Sequence, residues 1–305
     1  MKILVLGNSS IFNRKVLPAL RKFKNLTIEV ASKRKIENNI AYAKTYKSYQ
    51  DAIKKTRAKI VYISLINSKH YFWAKKCLEH KKHTIIDKPI TINSRDLFNL
   101  ILVAKKQKLL ISEAIVFHYH KQFKELVNKI NLKKVTEIST SFHIPKLDKS
   151  NFRNKSKLGG GCYQDMSPYA AYLIKFFFKN QKPIIKKKIH TFYKGNSNSF
   201  SFQAMTSKVN LKCSFSFNQS YKNYMKINSD KKKYKINYVF SPPIDQSLIM
   251  LEMNKKTNKN KKIYYKTQNT FYTYFDMIFK IIKNKKFGSF YKQLNQTAEI
   301  KNEII

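Results

Sequence analysis

Met1-Lys-Ile-Leu-Val-Leu-Gly7-Asn-Ser-Ser-Ile-Phe12 begins the chain and decides how its first third is interpreted. The apolar run Ile3–Leu6 has the length of a buried β-strand, and a glycine follows where the chain must turn into a helix. A dinucleotide-binding fold holds phosphate at such a turn. That loop usually carries three glycines, whereas here Ser9 takes the second position and Phe12 the third. The segment therefore predicts either a phosphate loop or an ordinary strand-to-helix turn.

A second strand signal ends in charged residues. The apolar run Thr84-Ile85-Ile86 predicts a parallel strand, and Asp87-Lys88-Pro89 follows it. Open α/β sheets bind ligands just beyond the carboxyl ends of their strands. A lysine there can hold a hydroxyl or carbonyl oxygen and pass a proton to it, while proline fixes the turn. Lys88 is the first candidate catalytic residue, although Lys-Pro pairs also occur on ordinary surfaces of lysine-rich proteins.

The formal net charge of +45 raises the question of nucleic-acid binding. Arginine accounts for only 6 of the 62 basic residues, and nucleic-acid readers depend on arginine for bidentate contacts. Lysine is enriched along the whole chain together with other residues whose codons are rich in A and T. Base composition explains the charge better than a nucleic-acid function does, so we expect no specific nucleic-acid partner. The charge would still attract phosphorylated cofactors and nucleotide-linked substrates.

Apolar runs and helical patterns alternate up to Ile115 and then give way to strand-like runs. We therefore expect an α/β protein: a doubly wound parallel sheet of the Rossmann type over residues 1–116, and over residues 117–305 an α+β domain with a large, mostly antiparallel open sheet. Strands are predicted at Lys2–Leu6, Leu26–Ala31, Lys59–Leu65, Thr84–Ile86, Leu109–Ile115 and Val135–Ile144. Helices are predicted at Asn13–Lys22, Tyr49–Lys55, Ser68–His80, Ser94–Gln107, Phe117–Ile130, Ser167–Phe178 and Phe271–Lys283.

The end of the second strand bears on the choice of cofactor. An acid at this tip would bind the ribose hydroxyls of NAD, and Glu29 lies at about the right distance in sequence from Gly7. Two more strand residues follow Glu29, however, so that Ser32, Lys33 and Arg34 occupy the tip. A hydroxyl and two cations suit a 2′-phosphate and favour NADP(H) over NAD(H). A solvated basic turn is the alternative.

Polar residues also follow the third and later strands. Asn67 and His70 lie at the predicted ligand edge, where Asn67 or Ser68 could instead cap the next helix. Further along, Gly159-Gly-Gly161 precedes a helix that carries Asp165 and Tyr169, which are four residues apart and share a face. A tyrosine near a lysine can act as acid or base. A flexible loop with an acid at a helix start is the alternative.

Taken together, these segments resemble the glucose–fructose oxidoreductase/inositol dehydrogenase (Gfo/Idh/MocA) family over essentially the whole chain. The matching pieces are Val16–Leu20, Asn67–His70, Asp87–Pro89 in place of the usual Glu-Lys-Pro, Glu113-Ala114, Tyr119-His120, Asn151–Arg153, Gly159–Tyr169 and Val239–Pro243. The departures are Ser9 and Phe12 in the loop, Asp87, and His118 and Lys121 where related members often have Arg and Pro.

The resemblance implies hydride transfer between a nicotinamide and a sugar or nucleotide-sugar carbon, in a homodimer or homotetramer. It implies catalytic roles for Lys88, Tyr169 and Asp165. It places the substrate against Lys88, His118, Arg153, Asp165 and Tyr169. It places the cofactor against Gly7, Ser9, Ser10, Ile11, Ser32, Lys33, Arg34, Ser64, Leu65, Asn67, His70, Asp87 and Lys88. The altered loop leaves a non-catalytic cofactor- or sugar-binding relative as the alternative, and binding of polyanions through charge alone as a weaker one.

Cysteines and hydropathy set the expected location. Three scattered cysteines, Cys77, Cys162 and Cys213, fit a reducing compartment, and their spacing predicts no metal site. The first apolar run is too short for a signal peptide, and no apolar stretch approaches the ~20 residues of a membrane span. We expect a cytoplasmic protein without a membrane partner.

Overall fold

The computed structural model describes residues 1–34, 36, 42–179 and 181–305. These residues divide into two compact units: Met1–Ile115 with Phe271–Gln296, and Val116–Thr270 with Thr297–Ile305. These two units are defined by their compactness alone. The division of the chain into domains of residues 1–116 and 117–305 stays a prediction. Among the described residues, no helix is both long and apolar enough to span a bilayer.

The first unit contains a six-stranded parallel sheet in the order β3-β2-β1-β4-β5-β6. Its strands are β1 Lys2–Leu6, β2 Thr27–Ala31, β3 Lys44–Tyr46, β4 Ile60–Ile63, β5 His83–Ile86 and β6 Ile111–Glu113. All four residues of β4 are buried, as expected for a parallel sheet with both faces covered. The order reverses between β1 and β4, the switch point where such sheets bind ligands. The predicted doubly wound sheet is confirmed.

Helices cover both faces of this sheet. A wide π-turn at Phe12–Val16 leads into α1 Leu17–Leu20, and α2 Tyr49–Lys55, α3 His70–Glu79 and α4 Ser94–Lys106 follow. Asn93 caps α4 by accepting the Asp96 N–H at 2.8 Å.

The chain returns to the first unit near its end. The segment Phe271–Gln296 holds most of α7 Thr270–Asn284 and the start of α8 Gly288–Glu303. Tyr274 is buried, and its hydroxyl lies 2.8 Å from that of Ser112 on β6. Phe275 packs edge-on against Tyr62, with ring centroids 5.7 Å apart. This segment therefore completes the core behind the central strands.

The second unit is built on an eight-stranded sheet in the order β14-β13-β12-β11-β7-β10-β9-β8. Every neighbouring pair is antiparallel except β7 and β10, so the predicted, mostly antiparallel sheet is confirmed. The strands are β7 Val135–Ile144, β8 Ile184–Tyr193, β9 Asn196–Met205, β10 Asn210–Phe217, β11 Lys222–Ser229, β12 Lys232–Asn237, β13 Leu248–Asn254 and β14 Asn260–Tyr265.

Two helices complete this unit: α5 Lys121–Lys129 and α6 Cys162–Phe178. Helix α6 is almost wholly buried and packs on the apolar side of β9 and β10, where Phe200, Phe202 and Phe215 are also buried. Strands β9 and β10 alternate between buried and half-buried residues over much of their length, so one face of the sheet is covered and the other is more accessible and polar.

Candidate functional site

Gly7 makes the turn that sequence predicted at the end of β1. Its φ angle is +102°, and a Cβ placed there would lie 2.2 Å from the Ser64 carbonyl oxygen. Its N–H donates to the Ala31 carbonyl at 2.8 Å. Only glycine fits such a backbone against β4, so the loop passes directly over the switch point of the sheet.

Serine hydroxyls form the hydrogen bonds of this loop, in which Ser9 takes the position of the usual second glycine. The Oγ atoms of Ser9 and Ser64 lie 2.7 Å apart, which joins the turns after β1 and β4. The Ser9 hydroxyl also accepts the Phe12 N–H at 3.1 Å. Ser10 is exposed and accepts a hydrogen bond from Arg14 Nε at 3.0 Å, while Ile11 is half-buried. The predicted loop residues therefore share one surface-facing turn.

Phe12 does not occupy the loop that it follows. Its side chain is fully buried, and its ring stacks on Tyr42 with centroids 6.4 Å apart. The helix opens with a π-turn, in which the Leu17 N–H bonds the Phe12 carbonyl one residue further along than in an α-helix. The wider turn accommodates an aromatic side chain where the family has glycine, and the ring points into the core.

Glu29 lies away from the tip of β2. It is 5% exposed, and its Oε2 accepts hydrogen bonds from the Tyr46 hydroxyl at 3.0 Å and from Thr56 Oγ1 at 2.7 Å. Burial and then the bond to Glu29 raise the pKa of Tyr46 to about 12. Since the carboxylate is held inside the fold, it is not placed to bind a ribose.

The basic tip, which we define as Ser32, Lys33 and Arg34, takes the position at the end of β2. Ser32 is buried, and its hydroxyl accepts the Arg34 N–H at 3.0 Å. Lys33 and Arg34 are exposed. Two cations on a fixed turn can bind an anion, although the same arrangement would also be stable in water alone.

The turn after β4 contains three of the predicted cofactor residues. Ser64 and Asn67 are buried, and the Leu65 side chain lies over Gly7. Asn67 and Ser68 lie within a 3₁₀ turn, Asn67–Lys69, that runs directly into α3. The capping role considered for them is wrong, because α3 is preceded by Lys69 and has no side-chain cap.

His70 ties two turns of the ligand edge together. It is fully buried, with Nδ1 lying 2.7 Å from the Pro89 carbonyl oxygen and Nε2 lying 3.0 Å from the Leu65 carbonyl oxygen. Burial lowers the pKa of this imidazole despite both contacts. His70 therefore positions the turns after β4 and β5, and its direct contact with a cofactor stays a prediction.

Lys88 lies in a turn that is fixed at several points. The Asp87 N–H donates to the Ile63 carbonyl at 2.9 Å, and the Lys88 N–H donates to Asp87 Oδ1 at 3.1 Å. Beyond the cis Lys88–Pro89 bond, the Ile90 N–H donates to Glu113 Oε1 at 2.8 Å. Lys88 is half-buried. Sequence reasoning assigned no role to Glu113, which fixes this turn. The position of Glu113 at the end of the neighbouring strand β6 could have indicated that role.

The glycine run in the second unit allows the chain to fold back on itself. A Cβ on Gly160 would lie 2.5 Å from the Arg153 carbonyl oxygen, and Gly161 has a φ angle of +109°. The Gly161 N–H and the Asn196 side-chain amide both donate to that carbonyl, each at 2.8 Å. The loop before the glycines is thereby held against the start of α6.

Helix α6 begins earlier than the sequence suggested. It starts at Cys162, and Pro168 lies inside it, so the prediction that this helix begins at Ser167 is wrong. The Tyr163 N–H finds its partner in Ser197 Oγ at 2.9 Å, and the Asp165 N–H bonds the Gly161 carbonyl at 3.0 Å. Asp165 is therefore in the first turn, where its charge is favoured.

Arg153 and Asp165 meet in this unit. Arg153 Nε lies 3.1 Å from Asp165 Oδ1, and the Arg153 guanidinium also lies over the Phe152 ring. The Asp165 side chain is 9% exposed and that of Arg153 is 35% exposed. A buried carboxylate is stable when it is paired, and the exposed part of the guanidinium can bind an anionic group.

Tyr169 lies one helical turn beyond Asp165 in an aromatic environment. It is 8% exposed, with ring centroids 5.8 Å from Phe117, 6.0 Å from Phe142 and 5.1 Å from Phe240. These rings fix the phenol against movement. Tyr169 thus lies near the middle of α6, and a shared role for Arg153, Asp165 and Tyr169 toward a substrate stays a prediction.

His118 is held within the same unit. It stacks on Tyr172 with ring centroids 4.3 Å apart. Burial, helped by the charges of Lys124 and Lys175, lowers its pKa to about 3. A neutral imidazole in an aromatic stack can contact an apolar or neutral group, and its role toward a substrate stays a prediction. The described residues contain no group of three or more His, Cys, Asp or Glu side chains that could hold a metal ion.

Relatives in sequence include enzymes that act on nucleotide-linked sugars. The chain is 24% identical over 264 residues to a dTDP-3,4-didehydro-2,6-dideoxy-α-D-glucose 3-reductase from Saccharopolyspora spinosa, which covers 83% of this chain and 79% of the relative. It is also 26% identical over 143 residues to a trans-1,2-dihydrobenzene-1,2-diol dehydrogenase from Xenopus laevis, over 46% of this chain and 43% of the relative.

Solved structures show the same fold along the whole chain. A 3-ketoreductase from Actinomadura kijaniata in complex with NADP and TDP-benzene superimposes with a TM-score of 0.91 at 17% identity, over 100% of this chain and 96% of that one. An aldose-aldose oxidoreductase from Caulobacter crescentus gives a TM-score of 0.83 at 15% identity over the same shares.

A family model confirms the resemblance drawn from the sequence motifs. Residues 1–115 match the model of the oxidoreductase family with an NAD-binding Rossmann fold. These residues contain the glycine turn, the basic tip and the Lys88 turn described above. Over these residues, the chain matches the Gfo/Idh/MocA oxidoreductase family.

Proposed function

We propose that the protein is an NADP(H)-dependent oxidoreductase that interconverts a hydroxyl and a carbonyl group on a sugar or nucleotide-linked sugar. The observation that carries this proposal is Lys88, which lies half-buried at the carboxyl end of β5 in a turn fixed by backbone hydrogen bonds. A cation held in this way can polarise a reacting oxygen without rearranging first.

The first unit would hold the cofactor, and its geometry fits one. The absence of a Cβ at Gly7 lets the loop pass directly against the Ser64 carbonyl at the switch point, where such sheets bind dinucleotides. Gly7, Ser9, Ser10 and Ile11 would line the pyrophosphate, and the remaining predicted residues would line the adenosine and nicotinamide ends. The bound nicotinamide would supply or accept the hydride.

The basic tip supports NADP(H) over NAD(H). Lys33 and Arg34 are exposed on a fixed turn, where they would neutralise a 2′-phosphate. Glu29, the acid that would favour NAD(H), is buried and bonded to Tyr46 and Thr56. The proposed preference for NADP(H) follows because Lys33 and Arg34 are accessible to a phosphate, whereas Glu29 is not accessible to a ribose.

Proton transfer in this proposal belongs to Lys88 and Tyr169. Tyr169 would exchange a proton with the substrate oxygen, and the Lys88 ammonium would stabilise negative charge on that oxygen and on the phenolate. Asp165 and Arg153 would orient the substrate, and His118 would contact a neutral part of it. Tyr169 is preceded by a paired carboxylate one turn earlier on α6.

The substrate class rests on the relatives and on charge. The 3-reductase named above acts on a dTDP-linked sugar, and the protein carries a formal net charge of +45. A diphosphate-linked sugar would be attracted to such a surface more strongly than a neutral sugar.

We further propose that the protein is cytoplasmic, since the described cysteines are unbridged. We also propose that it self-associates, since β8 exposes the apolar side chains of Ile189, Phe192 and Tyr193.

Turnover of a panel of sugars and nucleotide sugars with NADP⁺ or NADPH tests the proposal, with Lys88→Ala beside the wild type. Loss of the ammonium should lower kcat/KM at least about 100-fold. Lys75→Ala is the matched control, because Lys75 is an exposed lysine on α3 of the same unit. Unchanged turnover in Lys88→Ala would refute the mechanism.

The non-catalytic alternative makes a different prediction. It was based on the altered glycine loop, and the burial of Phe12 away from that loop favours the enzyme instead. A non-catalytic relative would bind NADPH or a sugar yet leave every sugar in the panel unchanged. Failure to bind either dinucleotide even at millimolar concentration would exclude the enzyme.

A further inference from the structure

The basic tip is held in place from two sides before any ligand binds. The Ser32 N–H donates to the Tyr46 carbonyl at 3.0 Å, which continues the pairing of β2 with β3. The Ser32 hydroxyl then accepts the Arg34 N–H at 3.0 Å. A turn that is already ordered loses little entropy when it binds a ligand. Its selectivity therefore depends on the groups that surround it.

Tyr49 lies beside this turn. It is the first residue of α2, whose N-cap Ser48 accepts the Asp51 N–H at 3.2 Å. Its ring is held edge-on to Trp73, with centroids 5.2 Å apart and planes at 78°. The helix start and the tryptophan thus fix the direction in which the phenol points.

The Tyr49 hydroxyl lies beside the tip. Tyr46, three residues earlier, accepts the Ser32 N–H of the tip through its carbonyl, and the Lys33 backbone and the charge of Arg34 both act on the hydroxyl. Burial raises the pKa of Tyr49 and outweighs these two groups, which lower it. The phenol therefore keeps its proton at neutral pH, and that proton is the donor that the hydroxyl can offer to a ligand.

We propose that Tyr49 is a specificity residue for the phosphorylated dinucleotide: its hydroxyl donates to a 2′-phosphate oxygen that Lys33 and Arg34 neutralise. This inference rests on the proposed function and adds a residue that neither the motif resemblance nor the comparisons assign. A hydrogen bond to a charged phosphate oxygen is stronger than one to a ribose hydroxyl, so the contribution of Tyr49 should differ between NADPH and NADH.

The test compares Tyr49→Phe with Tyr46→Phe. Each variant loses one phenolic hydroxyl from the first unit, but that of Tyr46 donates to buried Glu29. Trp73 is the only tryptophan in the sequence, so energy transfer from it to a bound dihydronicotinamide reports binding without any substrate. Dissociation constants for NADPH and NADH, and competition by 2′,5′-ADP and 5′-ADP, are measured for both variants and the wild type.

Tyr49→Phe should weaken NADPH and 2′,5′-ADP about tenfold and leave NADH and 5′-ADP nearly unchanged. Tyr46→Phe should leave the NADPH/NADH ratio as in the wild type. Equal weakening of both dinucleotides by Tyr49→Phe, or no weakening, would overturn the inference. A wild type that binds NADH as well as NADPH would overturn it while leaving an oxidoreductase in place, whereas a wild type that binds neither would overturn the proposed function and this inference together.

Discussion

Acid should destabilise the second unit through His120, and the size of the effect can be worked from the structure. His120 is 3% exposed and caps α5, with Nδ1 accepting the Gln122 N–H at 3.1 Å. Burial lowers the pKa of His120 to about 4. Protonation of Nδ1 would turn this acceptor into a donor and remove the cap, so the folded state needs the neutral ring.

The sign follows from proton binding. Between pH 6.5 and 4 the unfolded chain binds a proton at this position that the folded chain does not, so stability falls as pH falls through that window. With an unfolded pKa of about 6.5, the loss between pH 7 and pH 5 is about 2 kcal/mol. His118, whose pKa is lowered to about 3, should add a similar loss over the same range.

His120→Asn isolates this effect, because asparagine is a good helix cap that does not titrate. Urea unfolding followed by far-UV circular dichroism at pH 7 and pH 5 gives the free energy of unfolding of both proteins. The wild type should lose about 2 kcal/mol more than the variant between these pH values, while other titrating groups cancel in the difference. Equal losses in the two proteins would refute the argument.

Three further changes test the candidate site. Gly7→Ala should abolish dinucleotide binding and lower the free energy of unfolding by several kcal/mol, because its Cβ would lie 2.2 Å from the Ser64 carbonyl oxygen at a φ of +102°. Gly288→Ala is the control in thermal unfolding, because its Cβ would meet no atom within 4 Å. Phe12→Gly restores the family residue but should lower stability by about 3–5 kcal/mol and leave NADPH affinity no better, because the lost ring is fully buried; tighter NADPH binding would contradict this. Arg153→Lys should raise KM for a nucleotide-linked substrate about tenfold with kcat little changed, since lysine cannot replace the fork geometry beside Asp165; an unchanged KM would argue against a substrate contact.

The sequence predicted the central strands best, because buried parallel strands appear as continuous apolar runs. It placed β1 and β7 at their observed bounds and overran β4 and β6 by a few residues. Strand β3 was missed: it has three residues, two of them exposed, on the edge of the sheet. Helix α8 was missed because its sequence is polar and weakly patterned.

The candidate site was predicted as a set of residue types and less well as a set of contacts. The sequence put Lys88 just beyond the end of a strand, and β5 does end at Ile86. The sequence did not predict that Arg153 pairs with Asp165. It could not show that Glu29 is bonded inside the fold, or that Phe12 is accommodated by a wider helical turn. Both facts depend on partners that are distant in sequence or on backbone geometry, and neither leaves a local pattern.

The return of Phe271–Gln296 to the first unit has a consequence for synthesis on the ribosome. The parallel sheet is made first, but Tyr274 and Phe275, which cover Ser112 and Tyr62, are made last. Until they emerge, the nascent first unit carries an uncovered apolar surface and cannot reach its final core. Folding by domains in order of translation is therefore interrupted in this chain, and the first unit matures only after most of the second unit has been translated.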